Sequence, residues 1–307
     1  MTSLALAPLI AGSITAGTPL MLAALGLLIN EKSGVVNLGA EGMMLVAAIV
    51  GFATTVHTGS VSLGFLAGAC SGMLLAAFFA WMTVWLGTNQ YATGLALSLF
   101  GAGASAYIGM RYVGNSLQNG TTGIPFLEDL PFFGTALFRQ HPVVYLSLAL
   151  CVTLMWFLYH TRAGLVLRAV GESPASAHAL GYNVRRIRLA ALLFGGACCG
   201  VAGAFLSLVY TPLWVEGMVA GRGWIALALT TFATWRPARV LIGAYLFGGV
   251  TILTFFAQGV GVPVASQLLS MLPYIATIVV LVLISRNADY IKLNIPASLG
   301  KNFHPNH

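Results

Sequence analysis

GMMLVAAIVGFATTVHTGSVSLGFLAGACSGMLLAAFFAWMTVWLGTNQYATGLALSLFGAGASAYIGM, positions 42–110, contains no Asp, Glu, Lys or Arg. Crossing the hydrocarbon core of a bilayer takes about 20 apolar helical residues. A charge-free run this long therefore has to cross several times. The rest of the chain agrees with it. Of 307 residues, 58% are hydrophobic and 7% are charged, where a soluble domain carries about 25% charged residues. Mean hydropathy is +0.90. So little charge cannot cover a water-facing surface, and the expected fold is an all-α polytopic membrane protein.

The 14 basic residues outnumber the 7 acidic ones, yet this excess does not describe a nucleic-acid binder, because no exposed basic domain exists to carry it. Arg162, Arg168, Arg185, Arg186 and Arg188 fall in one interhelical loop, Arg236 and Arg239 in another, and Arg286, Lys292 and Lys301 in the tail. That distribution is what positive-inside topology produces. Cys70, Cys151, Cys198 and Cys199 lie in apolar segments without metal-ligand spacing and are read as packing residues. The six histidines, His304 and His307 in the tail among them, form no metal-site pattern, and no nucleophile motif is present. The N-terminus lacks a charged n-region and a cleavage site, so the first apolar segment is expected to be a retained helix.

Hydropathy with Gly, Pro and charge punctuation predicts helices near 8–29, 36–56, 61–86, 91–110, 141–160, 189–210, 217–234, 240–257 and 265–285. They make one transmembrane domain, 1–307, of about 9–10 spans. Loop 161–188 is expected in the cytoplasm. Loop 111–140, with Arg111 and Arg139 balanced by Glu128 and Asp129, is expected outside together with the N-terminus. The stretch from Asn30 to Glu41 is either a short loop or a broken, re-entrant helix, and an extra crossing there would invert the N-terminus.

Three segments interrupt the apolar sequence with groups capable of chemistry. The first runs from Asn30 to Met44. Charged groups at membrane depth are costly and face a cavity or a partner; Asn37 and Glu41 are flanked at once by apolar sequence and are read as path or gate residues. Glu31 and Lys32 fit a solvated interfacial position equally well. The second, Gly171-Glu172-Ser173-Pro174-Ala175-Ser176-Ala177-His178-Ala179-Leu180-Gly181, reads as a short helix with its own stop and start signals. Ser173 is suited to the N-cap, Pro174 to the first turn and Gly181 to the position just past the end. The third puts Glu216 six residues before Arg222, ahead of an apolar helix; Arg222 fits a structural or gating role through a charge partner or backbone carbonyls. Asn89 and Gln90, at the head of the fourth helix, fit either the path or plain interfacial polarity. Glu216-Gly217-Met218 also echoes Glu41-Gly42-Met43, a hint of an internal repeat.

The block Gly26–Met44, the segment Gly171–Asn183 and Gly221-Arg222-Gly223-Trp224-Ile225-Ala226-Leu227-Ala228 together resemble the permease subunits of ATP-binding-cassette importers. The branch resembled serves branched-chain amino acids, ribose-like sugars and nucleosides, and the likeness runs from about residue 10 to 285. The versions of the motifs here are most similar to the nucleoside or simple-sugar group. The resemblance implies a non-hydrolytic membrane subunit that carries a small polar solute by alternating access. It also implies that the short helix docks on an ATPase, with Gly171, Glu172, Ser173, Pro174, Ala175, Ala179 and Gly181 as coupling residues. No GxxxxGK[ST] phosphate loop occurs, so ATP and Mg are expected on a separate ATPase subunit. A second permease, related but not identical, an external solute-binding protein and membrane lipid are the other implied partners, in a bacterial inner membrane. The main alternative is an ion-coupled secondary transporter or channel, which would bury ionisable groups deep in its spans. A membrane-embedded enzyme would need a convergent catalytic set, and the sequence offers none.

Overall fold

Short polar residues set where the helices begin. In the computed structural model, which describes residues 3–117, 134–259, 294–303 and single helical positions between 268 and 282, helix α1 runs over Ser3–Lys32 and α2 over Ala40–Thr58. Gly59, at φ 70°, ends α2, a left-handed conformation that other residues adopt at a cost. The Ser60 side chain accepts from the Leu63 N–H and starts α3, Val61–Ala80, which runs on through a π-helical turn at Trp81–Trp85. Asn89 caps α4, Gln90–Gly109, and His141 caps α5, Pro142–His160. Thr161, Ser173 and Asn183 do the same for α6, Arg162–Glu172, α7, Pro174–Ala179, and α8, Val184–Phe205. A π-helical turn, Leu206–Tyr210, extends α8, and α9, Arg222–Phe232, and α10, Pro237–Gly259, follow.

Seven of these helices, α1 to α5, α8 and α10, are long and apolar enough to cross a membrane. The all-α, multi-pass fold is therefore as expected. The expected span at 217–234 is different: α9 has 11 residues, and at about 1.5 Å per residue it covers only half of a hydrocarbon core. Its lead-in, 211–221, is irregular, with Gly217, Ala220 and Gly221 at φ 68°, 51° and 80°. Hydropathy could not separate these cases, because the lead-in is as apolar as a helix would be. Most of the predicted helix 265–285, most of loop 111–140 with Glu128 and Asp129, Arg286, Lys292, His304 and His307 lie outside the described residues.

The interior is built on α1, α2 and α8, whose apolar windows are 78%, 67% and 67% buried, while α10 is 22% buried and turns an apolar face outward. Without a hydrophobic force between helices in lipid, close backbone approach through small residues takes over. Along α3 and α8, Gly68 and Gly72 face Gly200 and Gly196; a Cβ on Gly72 would strike the Gly196 carbonyl, and one on Gly200 the Gly68 carbonyl. Gly42 of α2 and Gly101 of α4 meet in the same way. Cys151, Cys198 and Cys199 are buried and free.

Candidate functional site

The chain between α1 and α2 is a buried, extended break. α1 carries Asn30, Glu31 and Lys32 into the interior, where they are 0%, 3% and 8% exposed. The solvated reading of Glu31 and Lys32 is thereby overturned: α1 runs three residues beyond its predicted end, and neighbours cover it. Residues 33–39 then climb one face of α4. The Val36 N–H donates to Gln90 Oε1 at 2.9 Å, Gly94 packs on Leu38, Ser98 Oγ donates to the Leu38 carbonyl at 2.7 Å, and Gly101 meets Gly42. Positions 90, 94, 98 and 101 are spaced to lie along one side of a helix. Residues 33–39 thus form a buried, non-helical connection between two helices, Leu6–Lys32 and Ala40–Thr58, each long and apolar enough to span.

Glu41 closes the head of α9. Its Oε1 accepts from the Gly221 N–H at 2.8 Å and its Oε2 from the Gly223 N–H at 2.7 Å. Free N–H groups and the helix dipole make this end favourable for a carboxylate. A Cβ on Gly223 would lie 2.6 Å from the Glu41 backbone, so glycine permits the approach. At the other end of α9, Glu31 Oε2 accepts from Thr230 Oγ1 at 2.9 Å and from Trp235 Nε1. Thr230 is fully buried and Trp235 is 1% exposed.

Beside the head of α9 lies a cavity of about 270 Å³ between α1, α9 and the C-terminal half of α10. Leu20, Ile225, Phe247 and Phe255 give it apolar walls, and Arg222, Thr251, Thr254 and Gln258 give it polar groups. Arg222 Nη1 donates to the Met218 and Val219 carbonyls, at 3.1 and 3.2 Å, and its guanidinium lies 5.3 Å from the centre of the Tyr210 ring. Thr251, Thr254 and Gln258 escaped the sequence reading, since polar residues singly placed in an apolar helix carry no signal of the direction they face.

The other path candidates have local partners. Asn37 is fully buried; its Oδ1 accepts from the Gly39 N–H at 2.9 Å, which turns the chain into α2. Asn89 Oδ1 caps α4 through the Tyr91 and Ala92 N–H groups. Gln90 joins Val36 to Asn302, whose Oδ1 accepts from its amide at 3.2 Å. Arg222 alone among the five named candidates lines the cavity.

A second surface lies at the end of the bundle where α1 stops. Ser173 Oγ accepts from the Ser176 N–H, Pro174 occupies the first turn of α7, and Gly181 follows at φ 86°. Ala177 turns inward against Val170 and Val184, while Leu180 and Tyr182 are exposed. Glu172 ends α6, and a Cβ on Gly171 would strike the Lys32 carbonyl. Ala175 and Ala179 lie on the exposed side of α7. Lys32 lies in the field of Arg168, Glu172 and Arg236, so this is also the basic end of the molecule.

The family profile described as the permease component of branched-chain amino acid transport systems matches residues 9–283. A putative glucose ABC transporter permease of Haloferax volcanii is 40% identical over 97% of this chain and 97% of its own length. The nucleoside ABC transporter permease of Lactococcus lactis is 30% identical over 90% of this chain and 91% of its own, and the guanosine ABC transporter permease of Bacillus subtilis 29% identical over 95% and 97%. No solved structure matches the chain.

Proposed function

The chain belongs to the family of branched-chain amino acid transport permease components, and from this premise we propose that it forms half of the membrane pathway of an ATP-driven importer for a nucleoside or a simple sugar. The other half is a second, related permease. ATP and Mg are bound by a separate ATPase subunit, and an external binding protein delivers the solute. The complex lies in a bacterial inner membrane, with the basic end and segment 161–188 in the cytoplasm and segment 111–140 outside, following the positive-inside rule.

The observation that carries this reading is α7. A six-residue helix with its own N-cap and a left-handed stop, exposed at the basic end, is not needed for a simple crossing and supports the reading of α7 as a docking element. Gly171, Glu172, Ser173, Pro174, Ala175, Ala179 and Gly181 form the ATPase-coupling element. The solute passes the head of α9, where half-helix termini commonly meet polar substrates, with Arg222 as a gate, Glu41 holding the helix head, and Asn37, Asn89 and Gln90 bracing the chain between α1 and α2 and the start of α4. Phe247 and Phe255 offer ring faces, and Thr251, Thr254 and Gln258 offer hydrogen bonds. The names of the relatives, glucose, nucleoside and guanosine, agree with a neutral hydroxyl-rich cargo.

The test is uptake by vesicles containing the whole complex, using radiolabelled guanosine and glucose in parallel. ATP-dependent accumulation of one of them, competed by its own class, is expected. Uptake driven by a sodium or proton gradient and indifferent to ATP would instead assign the chain to secondary transport.

A further inference from the structure

The segment Asn294–Phe303 has no regular helix, yet it touches α1, the 33–39 break, α6, α7 and the connection before α4. Lys32 Nζ donates to the Asn294 carbonyl at 2.9 Å, and the Gly300 N–H to the Gly34 carbonyl at 3.1 Å. Ser298 donates twice to the Gly171 carbonyl, from its N–H at 3.0 Å and its Oγ at 2.6 Å. Asn302 Nδ2 donates to the Gly87 and Thr88 carbonyls, at 2.6 and 3.1 Å. Phe303 meets His178 of α7 edge-on, 5.7 Å between ring centres, and packs on the Val170, Ala177 and Val184 cluster.

Arg188 holds this segment to the break. It is 2% exposed, and its guanidinium donates to the Ser33 carbonyl at 3.2 Å, to Ser298 Oγ at 3.3 Å and to the Lys301 carbonyl at 3.3 Å. A planar fork of donors is suited to tying three oxygens at fixed angles, which an ammonium cannot do. Unlike Arg185 and Arg186, one turn earlier in α8, Arg188 thus joins the break, the C-terminal segment and α8 at one point.

We propose that Ser298–Phe303, anchored by Arg188, is a relay that carries displacement of α7 to the α1–α2 break, with Arg188 as its positioning residue. The proposal rests on the importer reading for the ATPase that moves α7. α7 is too short to be stable alone, so its position is set by what it packs on, and Phe303 is part of that base. A shift of α7 pulls on Phe303, then through Lys301 and Ser298 on Arg188 and Ser33, and so on the extended residues that lead to Glu41. A contiguous bonded network of this kind is the physical means by which one site biases another.

The experiment uses the reconstituted complex with its ATPase and binding protein, comparing wild type with Phe303→Ala and Arg188→Lys. ATP hydrolysis and solute uptake are measured in the same vesicles. The relay predicts complexes of normal composition in which uptake per ATP falls by roughly ten-fold, with the double variant no worse than the weaker single one, as expected of residues acting in series. Unchanged uptake per ATP in both variants would overturn it. Failure of both variants to assemble would overturn it too, since the segment would then be a folding staple. Absence of ATP-dependent uptake in the wild type strikes at the importer reading itself, whereas wild-type transport with unaltered variants strikes only at the relay.

Discussion

Glu31 and Glu41 hold the two ends of the same short helix. Glu41 takes the Gly221 and Gly223 N–H groups at the head of α9, and Glu31 takes Thr230 and Trp235 at its foot. The first contact works with the helix dipole and the second against it, so the second depends on its two side-chain donors. Because both carboxylates flank the break between α1 and α2, α9 is joined at both ends to the residues on either side of that break.

Glu41→Gln leaves an amide N–H facing a backbone N–H at the head of α9. The loss of a charge-assisted pair at this buried position is expected to cost about 1–3 kcal/mol. Thermal melting of the purified complex should show it, together with reduced uptake. Uptake equal to wild type would mean that the cap plays no part in transport.

Trp235→Phe and Thr230→Val each remove one donor from Glu31. A double-mutant cycle on thermal stability should give a coupling of about 0.5–3 kcal/mol, since the two donors share one oxygen. Strictly additive losses would mean that Glu31 is held by other groups.

Gly200→Val drives a side chain into the Gly68 carbonyl and is expected to destabilise the chain by about 1–3 kcal/mol or more. Gly103→Ala is the matching control in α4, where an added Cβ meets nothing within 4 Å, and should stabilise by about 0.5–1 kcal/mol. Detergent-stability assays by size exclusion after heating distinguish the two. Equal behaviour would contradict the close α3–α8 approach.

Gly181→Val forces a β-branched residue to φ 86°, and Ala177→Pro removes the N–H that bonds the Ser173 carbonyl at 3.0 Å. Neither change touches a membrane span. Both should uncouple ATP hydrolysis from uptake while the complex still assembles, and normal uptake in both would refute the docking role of α7.

Gln258→Leu removes a polar group from the cavity without altering its apolar walls. The KM for uptake should rise several-fold, as for the loss of one hydrogen bond worth about 1 kcal/mol, with assembly preserved. An unchanged KM would direct the solute elsewhere.

Much of this was legible in the sequence because it is local. The starts expected near 61 and 91 and at Ser173 with Pro174 fall within a residue of the starts of the helices that Ser60, Asn89 and Ser173 cap, whereas α8 begins at Val184, five residues before its expected start. The α7 segment needed nothing else. What escaped was depth and pairing. Hydropathy sums content along a helix and is blind to where that helix stops, so α9 looked like a full span and Glu31 fitted a solvated position as well as a buried one. Arg188 resembled its loop neighbours Arg185 and Arg186, because its partners Ser33 and Ser298 are more than a hundred residues away. Gln90 and Asn89 are adjacent and chemically alike, yet one caps its own helix and the other reaches Val36 and Asn302.

The central claim, that this chain works as the permease of an ATP-driven importer, is tested most directly by co-purification. The tagged chain is solubilised mildly from native membranes, and everything that accompanies it is identified. Recovery of an ATPase subunit together with a second, related permease is the predicted result. A chain that runs alone, or only with copies of itself, under conditions that keep known importer complexes whole, would contradict it.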